Sequence, residues 1–406
     1  MSSALPSSRR ALRRSRWLVA VPLFVVALAV LPAAPASAAG PKIVIGFLGP
    51  VDNGLVEFGR GMRDSVLLAA RQAQDANRIK GWQLEVRVLD DSSDPAKGKA
   101  SAATFAADKQ VVAVVGPYNS GVAAKAAPVL AKLGIALVSP SNTLTSLTVG
   151  TDPAHPKRQW NTYFRLCGID ARQAEFLAAQ AKQLGIRTVA VVSETKAVSK
   201  GLADEFVRAF KANGGTITVQ QVVPDNATAA DFAGFVSAAL PTKPDLVFFG
   251  GEYNVGAVLR KTATTAGLTV PQMGGDGMFD PAFITGSGAA ALGSYTSGVG
   301  VPLARIPNSA AWLAAYRAAG YTSAPSDYGP YAYDAANLVI NQLIKSMKGR
   351  TSVPGDIRAQ VVKALGKVST EGLTGHLQFD KYGDATKPGF TLYKVQGTPP
   401  AWVAVN

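Results

Sequence analysis

A chain of 406 residues, 48% apolar and 17% charged, is long enough to bury two α/β lobes with separate cores. Its formal net charge of +14 falls to +9 without the five arginines of the first 38 residues, and the remaining lysines and arginines are scattered, with no basic block of the kind that grips nucleic acid, which argues against nucleic-acid binding. The single cysteine, Cys167, excludes an internal disulfide, and two histidines, His155 and His376, leave little from which to build a nucleophilic set.

The first 38 residues read as a targeting leader outside the fold. Arg9, Arg10, Arg13, Arg14 and Arg16 form a basic start, residues 17–31 an apolar run, and Ala36, Ser37 and Ala38 a small-residue cleavage site. The run is short for a membrane-spanning helix. Residues 8–12 partly resemble a twin-arginine signal, so that export route and the general secretory one both stay open. No cysteine stands near the cleavage site, so a lipid anchor is not expected, and no later segment is long and apolar enough to span a bilayer. The expected location is extracytoplasmic, periplasmic or secreted.

After the leader, strands and helices alternate. Residues 43–48 read as a strand, and Phe58, Met62, Val66, Ala69, Ala70 and Ala73 then recur at helical spacing. Residues 84–89 alternate as a strand does, 100–109 form an alanine-rich helix, and 111–115 are a strand. A helix over 122–133 ends at Gly134, and 135–138 is the next strand. The scheme repeats with a helix over 176–184, a strand over 188–192, a helix over 202–211, a strand over 216–223, a helix over 232–240, a strand over 246–249 and a helix over 255–264. Tyr331, Ala335, Leu338, Val339 and Leu343 make one later helical face, and Ile357, Val361, Val362 and Leu365 another. Residues 390–395 and 401–405 are strand-like. This alternation predicts mostly parallel sheets flanked by helices. The strand, loop and helix at 246–255 echo those at 111–122, so two similar lobes are expected to face each other across a cleft.

Two strand ends run into Ser/Thr-rich loops, 116–121 and 139–143, where an open α/β sheet binds ligands. Ser120 and Thr143 can donate hydroxyls there, beside the backbone N–H groups of a helix start, which makes a carboxylate cradle. An N-cap role for Ser120 and an ST-turn for Thr143 are the purely structural alternatives. Asp276 lies between glycines, where aspartate is also common as a turn former. Phe58, Tyr118 and Phe279 are candidate pocket walls or core. Asp90, Asp91 and Asp94 lack the glycine and distal glutamate of a calcium loop, so no metal is expected, and residues 286–288 lack the spacing of a dinucleotide site. Cys167 follows Tyr163, Phe164 and Leu166 and reads as a small buried hydrophobe.

Several motifs occur in one order: Phe47-Leu-Gly-Pro50 before Gly59, the acidic turn at 90–95, the loops 115–121 and 138–143, Phe249-Gly-Gly251, Met273-Gly-Gly-Asp-Gly277, Tyr333-Asp-Ala335 and the segment 375–384. In this order they resemble the type I periplasmic binding proteins of branched-chain amino-acid ABC importers, the leucine/isoleucine/valine-binding group, over essentially the whole chain after the leader. The resemblance implies two α/β lobes, each a mostly parallel sheet flanked by helices, joined by a three-strand hinge. The lobes would be 41–164 with 301–388, and 165–300 with 389–406. It also implies hinge closure on a small ligand that passes to ABC permease and ATPase subunits. Carried over by position, Ser120 matches the serine that binds the ligand carboxylate, Ser141 and Thr143 the backbone and hydroxyl pair after the next strand, Asp276 the acid that holds the ammonium, and Phe58 the first pocket aromatic. Val198 stands where many relatives have a tyrosine. Glu252, then Tyr253, follow the Gly-Gly pair where relatives have a tyrosine. Ser93 and Asn119 stand at the positions of the family's frequent disulfide.

The expected protein is therefore a monomeric, cofactor-free, non-enzymatic solute-binding protein. Its ligand would be a small amino acid, branched-chain or aliphatic, contacted by Phe58, Tyr118, Ser120, Ser141, Thr143, Val198, Glu252, Tyr253 and Asp276. Glu252 would suit a ligand with extra positive charge. The alternatives are an amide, urea or small aromatic acid bound by the same fold, or an extracellular sensor. Few histidines and no G-x-S-x-G elbow argue against a hydrolase.

Overall fold

The computed structural model describes residues 40–152 and 155–405, and the expected leader lies outside them. Among the described residues no helix is long and apolar enough to cross a membrane. The first lobe opens with β1 (Lys42–Gly49), α1 (Val56–Asp75), β2 (Gln83–Asp90), α2 (Pro95–Ala107), β3 (Val111–Val115), α3 (Ser120–Ala131), β4 (Ala136–Ser139), α4 (Ser146–Val149) and β5 (Tyr163–Arg165). The second lobe follows with α5 (Asp170–Gln183), β6 (Thr188–Glu194), α6 (Ala197–Ala212), β7 (Thr216–Val223), α7 (Ala233–Ala239), β8 (Leu246–Gly250), α8 (Tyr253–Thr265), β9 (Gln272–Gly274), α9 (Pro281–Ser287) and β10 (Tyr295–Val299). The chain then returns to the first lobe through α10 (Ser309–Ala318), α11 (Gly329–Ser346), α12 (Ile357–Leu365) and the hairpin β11 (Ser369–Gly372) and β12 (Gly375–Gln378). It ends on the second sheet with β13 (Phe390–Gln396) and β14 (Ala401–Ala404).

The first sheet has the order β2-β1-β3-β4-β5 and is parallel throughout. The second has the order β14-β13-β10-β9-β8-β6-β7, parallel from β7 to β10 and antiparallel at β13 and β14. Parallel strands need both faces covered, which is why β3 is valine or alanine at every position and buried at every position. Each sheet reverses its winding once, β1 against β3 and β6 against β8. At such a switch point the strand ends part to leave a crevice.

The periodic elements lie where expected, with helices starting earlier than their apolar faces do. Helix α2 begins at Pro95 because the Asp94 carboxylate accepts from the N–H of Ala96 and Lys97 at 2.6 and 2.9 Å. Helix α5 begins at Asp170 and α6 at Ala197, each on polar residues that carry no periodic signal. The three-residue strands β5 and β9, the hairpin and α10 were not expected; two or three residues of pairing are too few to show a period. Each lobe has a core of its own, around Leu48, Phe105 and Leu130 in the first and around Leu177, Phe206 and Phe248 in the second. A third cluster, not expected, runs between the lobes, from Ile45 and Met62 to Val192, Phe249 and Phe283. The cleft is closed, and rings meet across it: Phe58 and Tyr253 lie 5.5 Å apart, edge to face.

Candidate functional site

The loops at the two switch points meet. From the first lobe come 116–120 after β3 and 139–143 after β4. From the second come 194–199 after β6, 250–252 after β8 and 274–277 after β9. Gly116 has φ +108°, and a Cβ there would lie 2.0 Å from the carbonyl oxygen of Leu48, so only glycine lets the chain turn so close to β1. A Cβ built on Gly250 would likewise lie 2.4 Å from the Ser199 carbonyl oxygen.

These loops enclose a cavity of about 40 Å³ lined by Tyr118, Ser120, Ser141, Thr143, Val198, Glu252 and Asp276, together with Asn119, Asp170, Ser199, Leu202 and two glycines. Seven of the nine expected residues thus face one space. Phe58 and Tyr253 stand behind Tyr118: Phe58 stacks on its ring at 4.5 Å, and Tyr253 packs on Phe58. Phe279 lies elsewhere, on Tyr393 and Trp402. A larger cavity of about 930 Å³ opens on the far side of Phe58, among Glu57, Asp280, Asp327, Phe279 and Trp402. It lies off both switch points, so the small cavity is the candidate site.

The first lobe's loops are braced from below. Asn142 Nδ2 donates to the carbonyls of Pro117 and Tyr118 at 3.1 and 2.7 Å, and the Ser141 hydroxyl donates to Tyr118 at 3.1 Å. The Ser120 hydroxyl accepts from Leu144 N–H at 3.3 Å. Arg165, fully buried, donates from Nη1 to the carbonyls of Asn142 and Leu144, 2.9 Å each, and so grips the backbone on both sides of Thr143. Its Nε pairs with Asp384.

The opposite wall is acidic. Asp276 accepts from Gln173 Nε2 at 2.7 Å and from the Tyr328 hydroxyl; burial pushes its carboxyl up, and these donors pull it part of the way back. Asp170 is buried beside Thr143, to whose carbonyl its N–H donates at 2.7 Å, and neither carboxylate oxygen has a well-formed hydrogen bond. Burial pushes it up to about 7, with Thr143 offsetting part of the shift and Asp276 adding to it. Glu252 is paired with Lys196 and accepts from Asn119 Nδ2 at 2.7 Å across the cleft. Lys196 also reaches Glu194 at 3.2 Å, and the two carboxylates hold its ammonium firmly charged. Glu252 is thus not a solvated loop side chain: it and Glu194 share one ammonium, that of Lys196.

Asp170, Gln173, Lys196, Tyr328 and Arg165 were not expected here. Asp170 opens an amphipathic helix, where an acid reads equally well as a partner of the helix dipole. Arg165 is a lone arginine in an apolar strand, and its partner Asp384 is more than 200 residues away in sequence. The remaining expectations are absorbed into structure. Asp90 pairs with Lys97 and accepts from Val51, while Asp94 caps α2. Ser93 accepts from Leu55 N–H. Cys167 is buried, and burial pushes its thiol far above its ordinary range.

A sheet pair opening on facing switch points, with hydroxyl donors on one wall and carboxylates on the other, is the architecture of a two-lobed binding protein. Residues 42–399 match the family model described as periplasmic binding protein, and the chain belongs to that family. It is similar to Leu/Ile/Val-binding protein homolog 1 of Brucella melitensis, 28% identical over 87% of this chain and 90% of the relative. It is also similar to the leucine-, isoleucine-, valine-, threonine- and alanine-binding protein of Pseudomonas aeruginosa, 27% identical over 91% of this chain and 94% of the relative. The crystal structure of a leucine binding protein from Thermotoga maritima shares the fold, with a TM-score of 0.77, 22% identity and coverage of 90% of this chain and 99% of that one. The chain is therefore a solute-binding component of transport, extracytoplasmic, and not an enzyme.

Proposed function

We propose that this protein captures a small, uncharged, aliphatic α-amino acid in the cavity between its lobes and delivers it, as a monomer, to the permease and ATPase subunits of an ABC importer. The observation that carries this reading is the buried Asp170 carboxylate, whose oxygens lack well-formed hydrogen bonds, lining one cavity with the start of α3 and the hydroxyls of Ser120 and Thr143. A buried anion without a partner is costly, and an ammonium group relieves that cost. Asp170 and Asp276 hold the ammonium. Ser120, Thr143 and the first turn of α3 hold the carboxylate, where the helix dipole favours an anion. Charge-assisted hydrogen bonds contribute roughly 1.5–3 kcal/mol each, so a few of them with apolar burial give micromolar binding. Since Glu252 is already engaged by Lys196 and Asn119, a neutral ligand side chain fits better than a cationic one. The names of the Brucella and Pseudomonas relatives span leucine to alanine and support the aliphatic class.

Closure turns on three crossings near 164–167, 298–301 and 388–390, which divide the lobes as 41–164 with 301–388 and 165–300 with 389–406. The test is calorimetric titration of the refolded, ligand-free protein against aliphatic amino acids, amides, urea and benzoate. Saturable micromolar binding of an aliphatic amino acid is expected. A response confined to the amides, urea or benzoate overturns the amino-acid reading.

A further inference from the structure

We propose that Tyr118 sets the size limit of this site: the ligand side chain is no larger than that of alanine or serine, and leucine is excluded by the aromatic plug that Tyr118 heads. The inference rests on the amino-acid reading above and narrows it.

A cavity of about 40 Å³ has room for roughly three waters, at about 10–15 Å³ each. That is less than the five heavy atoms of glycine or the six of alanine occupy, so with the walls in place no spare volume is left for a longer side chain. A leucine carries three more heavy atoms than alanine and needs a further apolar recess. On the α6 side the recess is closed by Val198, Ser199 and Leu202. On the other side it is closed by Tyr118.

Tyr118 does not stand alone. Its ring stacks on Phe58 at 4.5 Å and 20°, and meets Tyr328 edge to face at 5.4 Å. Phe58 in turn meets Tyr253 and Tyr328 edge to face at 5.5 and 5.4 Å. All four residues are buried. Two of them are tied at their hydroxyls to carboxylates of the opposite lobe, Tyr328 to Asp276 and Tyr253 to Glu57 at 2.7 Å. The plug therefore spans the cleft, and moving Tyr118 aside for a larger ligand breaks ring contacts and disturbs the carboxylate that holds the ammonium. Interlocked aromatic contacts of this kind resist displacement, because the close-packed interior has no neighbouring void to receive the ring. The large cavity beyond Phe58 does not serve, since Tyr118 is not among its lining residues.

Glycine, alanine, serine, valine and leucine are titrated into the wild type, Tyr118→Phe and Tyr118→Leu, with circular dichroism of each variant as a folding check. The wild type is expected to bind alanine at least ten-fold more tightly than leucine. Tyr118→Phe, which keeps the ring, is expected to keep that preference. Tyr118→Leu is expected to shift the ratio of leucine to alanine affinity at least ten-fold toward leucine. A wild type that binds leucine as tightly as alanine overturns the size limit and leaves the amino-acid reading standing, whether or not Tyr118→Leu folds. A wild type that binds none of the five overturns both.

Discussion

Neither oxygen of the Asp170 carboxylate has a well-formed hydrogen bond, and burial pushes the group up to about 7 from an ordinary 3.8. The folded chain therefore keeps a proton there that the unfolded chain has lost. Its contribution to stability is fully present below about pH 4, falls as pH rises and is gone above about pH 7. Asp91 and Asp327, also pushed up to about 7 by burial, add to the same slope, so the effect of Asp170 is read as a difference. Thermal melting of ligand-free Asp170→Asn is expected to fall less between pH 4.5 and 7.5 than that of the wild type. An ammonium ligand needs the ionised form, so calorimetry is expected to show tighter binding at pH 8 than at pH 5.5, with protons released near pH 7. Affinity that rises toward acid pH contradicts the pairing. Asp276→Ala and Thr143→Ala are each expected to abolish binding while the protein stays folded; tight binding by either purified variant removes that residue from the site.

Strand β5 has only three residues, yet Arg165 at its end ties the loop that carries Thr143 to Asp384 in a distant turn. The Arg165 side chain is fully buried and that of Asp384 nearly so. Replacing one partner leaves a buried charge unmatched, which costs about 3–5 kcal/mol. Arg165→Met is therefore expected to lower the unfolding free energy by that order in urea titration, and to weaken ligand binding in whatever fraction folds. A loss below about 1 kcal/mol, the worth of an exposed pair, shows that the clamp does not hold the element in place. Helix α6 has the matching role in the second lobe, where Lys196 just ahead of its first residue joins Glu194 on β6 to Glu252 after β8.

Across the whole molecule the closed arrangement is held by hydrogen bonds that bridge the lobes: Asn119 to Glu252, Tyr253 to Glu57 and Tyr328 to Asp276. A ligand that touches both walls adds to this set only when the lobes are together, so it shifts the population toward closure. Hydrogen bonds to charged groups contribute roughly 1.5–3 kcal/mol, and part of that is lost for each bridge removed. Asn119→Ala is expected to weaken binding by about ten-fold, which corresponds to 1.4 kcal/mol, and to give a larger ligand-free radius of gyration by small-angle X-ray scattering. An unchanged radius and affinity shows that this bridge does not bias closure.

The sequence by itself determined the alternation of strands and helices and the strand ends at which the loops meet. Apolar period, glycine stops and hydroxyl-rich strand ends are local features, and each is written within ten residues or so. It also brought Ser120 and Thr143 forward, because they sit in hydroxyl-rich loops at strand ends, and Asp276 through the family resemblance of its glycine-rich motif. Asp170, Arg165 and Lys196 stayed hidden, because Lys196 meets Glu252 56 residues on and Arg165 meets Asp384 219 residues on, and only folding sets those distances. The tertiary structure alone decided that Glu252 is already engaged by Lys196 and Asn119, that a third cluster joins the lobes through a closed cleft, and that Tyr118 stands in a stacked plug beside the cavity. Burial and charge pairing belong to the assembled walls of the site, and no single segment of the chain carries them.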